Sequence, residues 1–187
     1  MTTLDDKPTV DQSTVPFFPT ALRMGLYGGG ALIIYTLISN ITGLSIPSGI
    51  TKSVLAGLIP LILYIGIGVF AIKKHRDEDL GGYISFGRAF VVSLIAMIVA
   101  GIIGTLFNIL YMQVIDPGYV DTAIEGMEEM FANMGMESGM SDEQLEKIRE
   151  QFSPTYQLTT GLLWGSLMGA VLSLIIAAIM KRKLPEV

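Results

Sequence analysis

No cysteine occurs in the 187 residues, so disulfides, thiolate metal sites, iron–sulfur ligation and a cysteine nucleophile are all excluded. Histidine is represented by His75 alone, which rules out a multi-histidine zinc or haem centre within one chain. Charge is sparse: Asp, Glu, Lys and Arg make up 16% of residues, and nothing resembles the basic stripe that neutralises a phosphate backbone. Nucleic acid is not an expected partner, and no cofactor is implied. The start of the chain also lacks a cleavable signal, since it has no positive n-region and carries Asp5, Asp6 and Asp11 against Lys7. Residues 1–20 read as an attached, loosely ordered cytoplasmic tail, and residues 183–187 as a short C-terminal tail.

What the chain has instead is apolar length. Uncharged runs extend from Met24 to Thr51, Ser53 to Ile72, Ala89 to Ile115 and Gln151 to Met180. A helix rises about 1.5 Å per residue, so even the shortest run covers roughly the 30 Å of a hydrocarbon core. In the fourth run Leu158, Leu162, Leu163, Leu167, Val171, Leu172, Leu174, Ile175, Ile176 and Ile179 together favour insertion by about 3 to 6 kcal/mol. A soluble helical bundle would need polar faces recurring every three to four residues, and these runs have none.

The predicted fold class is therefore all-α: an integral membrane four-helix bundle forming one domain over residues 21–182. The spans are placed at about 22–44, 53–72, 89–115 and 156–180. Ile46-Pro47-Ser48-Gly49 supplies a turn after the first, and Ser153-Pro154 reads as N-cap and first helical position of the fourth. Lys7, Arg23, Lys73, Lys74, Arg76, Arg88, Lys181, Arg182 and Lys183 fall on one side, against Lys52, Lys147 and Arg149 on the other. That bias puts both termini in the cytoplasm.

Small residues mark the expected packing faces. Gly25 and Gly29 in the first span, Ala96, Ala100, Gly104 and Asn108 in the third, and Gly161, Gly165 and Gly169 in the fourth recur at helical spacing and admit a neighbouring backbone. The Gly161 face serves either contact within one bundle or assembly with a second copy or another membrane protein. No Asp, Glu, Lys, Arg or His lies at mid-membrane depth, which counts against a proton or ion pathway.

Between the third and fourth spans, residues 116–155 carry ten acids against Lys147 and Arg149. Val120, Ile124, Met127, Phe131 and Met134 fall on one helical face, while Ser141 with Gln144 reads as a capping box opening a second helix with Leu145, Ile148 and Phe152 on one side. An extracytoplasmic helical hairpin broken around Gly135 and Gly139 is expected, packing on itself rather than on anionic headgroups. The acids lack the ligand spacing of a calcium loop and read as a solvated face. Met130, Met134, Met136 and Met140, with Met127, are soft thioethers of the kind that bind Cu(I), although methionine also fills gaps on apolar helix faces. No metal site is assigned.

The segment from Lys73 to Phe90 anchors the second span with basic residues, and Gly81, Gly82 and Gly87 loosen its backbone. His75 with Asp77 and Asp79 is too small a set for a metal site. Gly82-Tyr83-Ile84-Ser85-Phe86-Gly87-Arg88-Ala89-Phe90, followed by Tyr111 and Ile115-Asp116-Pro117, resembles the bacterial membrane family called domain of unknown function 4199. The resemblance covers about residues 20–182, with Gly82, Tyr83, Phe86, Gly87, Arg88, Asp116 and Pro117 as its motif positions. It implies a four-span bacterial inner-membrane protein and implies no activity. The expected function is that of a non-enzymatic membrane protein acting by helix association or as an accessory subunit. A small oligomeric transporter or channel for a neutral solute and Cu(I) binding by the methionine-rich loop are the alternatives.

Overall fold

A computed structural model describes residues 11–136 and 140–182. The first ten residues, Lys183 with the rest of the C-terminal tail, and the Glu137–Gly139 part of the expected hairpin break lie outside the described residues. Among the described residues, four long helical stretches are apolar enough to cross a membrane: Phe18–Ile41, Ile50–Asp79, Phe86–Ile115 and Pro154–Met180.

Helix α1 (Phe18–Ile41) starts earlier than expected, with Pro19 in its first turn, where a missing N–H is harmless. It also ends before the expected Leu44. Gly43 adopts φ +68°, its N–H donates to Asn40 O, and Leu44 N–H donates to Ser39 O. That pair of bonds closes a Schellman cap, which needs a left-handed residue and so finds glycine.

Helix α2 (Ile50–Lys74) follows an extended Gly49 and brings Lys52 into its first turn, where the ammonium donates to Ser48 Oγ at 2.9 Å. A wider π-helical turn, His75–Asp79, continues it into the segment read as a flexible loop. Gly81 and Gly82, at φ +68° and +103°, then reverse the chain. Ser85 caps α3 (Phe86–Leu110), which begins three residues before the expected start. A second π turn, Tyr111–Ile115, extends α3.

Two amphipathic helices separate the third and fourth spans. Helix α4 (Tyr119–Asn133) ends at Gly135, again left-handed and again closing a Schellman cap, with Met136 N–H donating to Phe131 O. Helix α5 (Asp142–Gln151) opens with the complete Ser141–Gln144 capping box. The buried face of α4 is Tyr119, Ala123, Ile124 and Gly126, turned from the expected stripe, and Met134 is exposed. The reason is a close approach: a Cβ on Gly126 would sit 2.5 Å from Ile46, so the loop after α1 docks where α4 has no side chain. The fourth stretch comprises α6 (Pro154–Tyr156), a π turn at Gln157–Gly161, and α7 (Leu162–Met180).

Helix α1 packs on α3, and α3 packs on α7, with α2 beside all three. The larger apolar core gathers Ala21, Ile67, Ile72, Val92, Met97 and Ile176 near the end that holds the termini. A smaller one, Tyr111, Met112, Tyr119 and Ala123, lies at the other end beside α4. Outward, Ile34, Ile62, Leu163 and Ile179 are each at least 60% exposed, which suits lipid as the surrounding solvent.

The N-terminal tail is shorter than residues 1–20. Arg88 donates to the carbonyl oxygens of Gln12 and Val15, and the Gln12 carboxamide accepts from Ser85 N–H at 3.1 Å. Arg182 forms an isolated antiparallel bridge with Ile84, so both ends of the described chain meet the α2–α3 turn.

Candidate functional site

Two polar regions stand out against the apolar body. The first, at the terminal end, is an ion-pair relay. His75 is fully buried, its Nδ1 2.7 Å from Asp79 Oδ2, and Arg88 Nε–H donates to His75 Nε2 at 2.9 Å. An arginine has no lone pair to offer, so Nε2 must accept and Nδ1 must carry the proton. The imidazole is thereby fixed as the neutral Nδ1–H tautomer between a carboxylate and a guanidinium. Thr20 donates to the same Asp79 oxygen at 2.7 Å, tying α1 to the π turn, and Phe17 lies 5.5 Å from the Arg88 guanidinium. Arg76 pairs with Asp77 and Lys74 with Glu78. Both ring nitrogens of His75 are engaged, so the ring has no free lone pair for a metal.

Sequence reasoning had Arg88 as a motif position and His75 as a doubtful ligand, and did not join them. The i,i+4 spacing of His75 and Asp79 was the available signal. Of the other motif positions, Gly82 carries φ +103°, which a side chain rarely adopts, and Tyr83 O accepts from Gln12. Phe86 is 40% exposed, Gly87 faces open space, Asp116 ends the α3 extension and Pro117 is exposed beside it.

The second region is a cavity of about 460 Å³ at the α4 end, walled by all four long stretches. Leu32, Tyr35, Ser39 and Asn40 come from α1; Ala56, Pro60 and Tyr64 from α2; Gly101, Gly104, Thr105 and Asn108 from α3; Gln157 and Gly161 from the fourth. The π turns at Tyr111–Ile115 and Gln157–Gly161 contribute Met112, Gln157 and Gly161 to its wall. Tyr119 and Phe152, whose rings meet edge-on at 6.2 Å, complete it beside α4.

Local chemistry explains much of the wall. Pro60 has no N–H to donate to Ala56 four residues earlier, which leaves a carbonyl unmatched inside a span. Tyr35 of α1 supplies the donor, its Oη 2.9 Å from Ala56 O. Asn108 Nδ2 donates to Gln157 Oε1 at 3.1 Å, and Gln157 Nε2 donates in turn to Phe152 O at 3.0 Å, so two carboxamides link α3 to the fourth span and the loop. Burial pushes the Tyr119 hydroxyl above its ordinary pKa, keeping it a neutral donor.

The structure brings some packing positions together and leaves others apart. A Cβ on Gly25 would meet Val99 at 2.6 Å and Ala96 O at 2.9 Å, and one on Gly29 would meet Ile103 at 2.7 Å. Ala96 and Ala100 are fully buried, and Gly104 faces Leu32. Gly169 lies against Met97. Gly161 meets only backbone of its own stretch, and Gly165 has nothing within 4 Å. Sequence reasoning passed over Gly28, which faces Ile67 at 2.6 Å, although the run Gly28-Gly29-Gly30 was its signal. Of the methionines, Met130 Sδ accepts from Ser53 at 3.8 Å, Met134 and Met136 are exposed, and Met140 follows the undescribed segment.

Neither a curated protein nor a solved structure matches the chain. One family model, described as a protein of unknown function (DUF4199), matches residues 23–182, which include His75, Asp79 and Arg88, the cavity, and the four long helices apart from the start of α1 at residues 18–22. The chain belongs to that family.

Proposed function

We propose that this is a non-enzymatic protein of the bacterial inner membrane, with both termini cytoplasmic, that acts by associating with a second copy through the α6–α7 stretch. The orientation rests on charge: Arg23, Lys73, Lys74, Arg76, Arg88, Lys181 and Arg182 lie at the terminal end, against Lys52, Lys147 and Arg149 at the other. In support of a non-catalytic role, the acids and bases of the Lys74–Asp79 segment pair with one another, and the cavity wall contains no Asp, Glu, His, Lys or Arg.

The observation that carries association is the contrast along the glycines. Gly25, Gly28, Gly29 and Gly68 are each filled by a neighbouring helix at under 3 Å from a notional Cβ, whereas Gly165, like Gly30, Gly57 and Gly66, has nothing within 4 Å among the described residues. Next to it Trp164 and Leu163 are more than 60% exposed. A side-chain-free spot flanked by large apolar groups suits the close crossing of two copies of the same helix, which is the small-residue geometry that works where lipid removes the hydrophobic driving force.

Because the chain has no cysteine, one introduced thiol gives a clean probe. Gly165→Cys is expected to form disulfide-linked dimers in native membranes well above the level of Ile62→Cys, an exposed α2 control. Gly165→Leu is expected to abolish crosslinking through a nearby Trp164→Cys while leaving the monomer's melting point within a few degrees. Equal crosslinking at Gly165 and Ile62 contradicts the proposal.

A further inference from the structure

We infer that the cavity at the α4 end is a binding site for an uncharged, hydroxyl-bearing group, a sugar or polyol carried either by a membrane lipid or by a free solute. The inference is independent of the association reading, because every wall residue belongs to one chain.

The wall chooses the ligand's charge. None of its lining residues is ionisable apart from the tyrosines, and the raised Tyr119 hydroxyl stays protonated. A charged group moved there would lose its hydration with no counter-charge to replace it, a penalty of several kcal/mol per ion. An entirely apolar ligand is disfavoured by the opposite argument, since the wall presents hydroxyls and carboxamides that need partners.

The hydrogen-bond ledger chooses its polarity. Tyr35, Asn108 and Gln157 each donate within the protein. Ser39 and Asn40 line the cavity, and their Oγ and Nδ2 atoms, both buried in the wall, have no partner among the described residues. Ser39 as a whole is 2% exposed. A buried donor left unmatched costs about 1 to 3 kcal/mol, and Asn40 Nδ2 carries two N–H groups for which only an acceptor oxygen will serve. Hydroxyl oxygens in the cavity answer that need once the Asn40 side chain turns toward them, and they can donate back to Oη of Tyr35, whose own proton is spent on Ala56.

Apolar patches from Leu32, Ala56, Pro60, Met112 and Phe152 flank these groups, as carbohydrate and glycerol CH faces require. The volume of about 460 Å³ falls within the range of small-molecule sites. The room is kept by glycine: a Cβ on Gly101 would stand 2.8 Å from the Tyr64 hydroxyl. Two π turns border the cavity, an arrangement that recurs at functional sites because it re-aims side chains within a helix.

The test uses full-length protein in phosphatidylcholine nanodiscs, with retained adducts counted by native mass spectrometry. One arm dopes the discs with monoglucosyl diacylglycerol or, at equal mole fraction, with phosphatidic acid, which is anionic and carries no polyol; the other adds free glucose or glycerol. The site is expected to retain one glucosyl lipid or one free polyol per chain, at least tenfold more tightly than the anionic lipid. Retention in the lipid arm alone identifies a headgroup as the source, and retention in the solute arm alone identifies a free polyol. Asn40→Leu, which keeps the side chain's bulk and removes its donors, is expected to weaken binding about tenfold; Ser39→Ala is the milder companion should Asn40→Leu fold poorly. No adduct in either arm, equal retention of the anionic lipid, or undiminished binding by both variants overturns the inference.

Discussion

Arg88→Ala is expected to lower the melting point of the detergent-solubilised protein by roughly 6 to 12 °C, on the order of 3 kcal/mol. Four contacts end together: the bond to His75 Nε2, the two carbonyls of Gln12 and Val15, and the stacking on Phe17. Removing Arg88 leaves His75, fully buried, with an unmatched ring nitrogen, and takes away a positive charge on the far side of the imidazole from Asp79. Losing one member of a network that is buried at His75 and half-buried at Asp79 is worse than never having had it, because the imidazole remains desolvated. Arg88→Lys should recover less than half of the loss, since an ammonium is a point charge and cannot span an imidazole and two carbonyls as a planar fork does. Limited proteolysis provides a second readout, with cleavage near Gln12 to Pro16 appearing in Arg88→Ala. Arg23→Ala, exposed one turn into α1, should shift the melting point by less than 2 °C.

Gly25→Leu should be as damaging by a different route. The new Cβ would stand 2.6 Å from Val99 Cβ and 2.9 Å from a backbone oxygen, atoms that cannot rotate away, so α1 and α3 must part along their main contact. A loss of about 3 kcal/mol or failure to accumulate in membranes is expected. Gly28→Ala offers the informative contrast, because its obstruction is the Ile67 side chain beyond Cβ. Ile67→Ala removes those atoms, and the pair Gly28→Ala/Ile67→Ala should be more stable than the sum of the two single losses implies, by at least 1 kcal/mol in a double-mutant cycle of melting free energies. Strict additivity would mean that the two helices do not meet there.

The long helices were legible because charge is so rare that its absence delimits them, and a bilayer-length uncharged run has few other uses. Their ends were less so. A Schellman cap at Gly43 depends on one residue's φ, and Phe18, Ile50 and Phe86 join their helices through neighbouring turns that hydropathy does not register. The π turns carry no compositional mark at all. Short-range logic did survive in the Ser141–Gln144 capping box, whose two bonds need only a tetrapeptide.

The polar sites were harder for a plainer reason. His75 and Asp79 share a turn, but Arg88 reaches them only after the Gly81-Gly82 reversal, so the relay is a product of tertiary folding. Pro60 announced an unmatched carbonyl in α2 without saying that Tyr35, on another helix, would meet it. Asn108 stands in the small-residue stripe of the third span, and its hydrogen-bond partner Gln157 lies 49 positions away. A cavity is a property of four walls, and no single wall looks unusual in sequence.

Four crossings of the membrane, with both ends of the chain on the cytoplasmic side, underlie every role proposed above. Single cysteines at Ser13, Glu146 and Arg182, each exposed, can be challenged with a membrane-impermeant maleimide in right-side-out membrane vesicles. Labelling of Glu146→Cys at once, and of Ser13→Cys and Arg182→Cys only after the vesicles are opened with detergent, is the predicted result. Immediate labelling of Ser13→Cys or Arg182→Cys, or protection of Glu146→Cys, would contradict it.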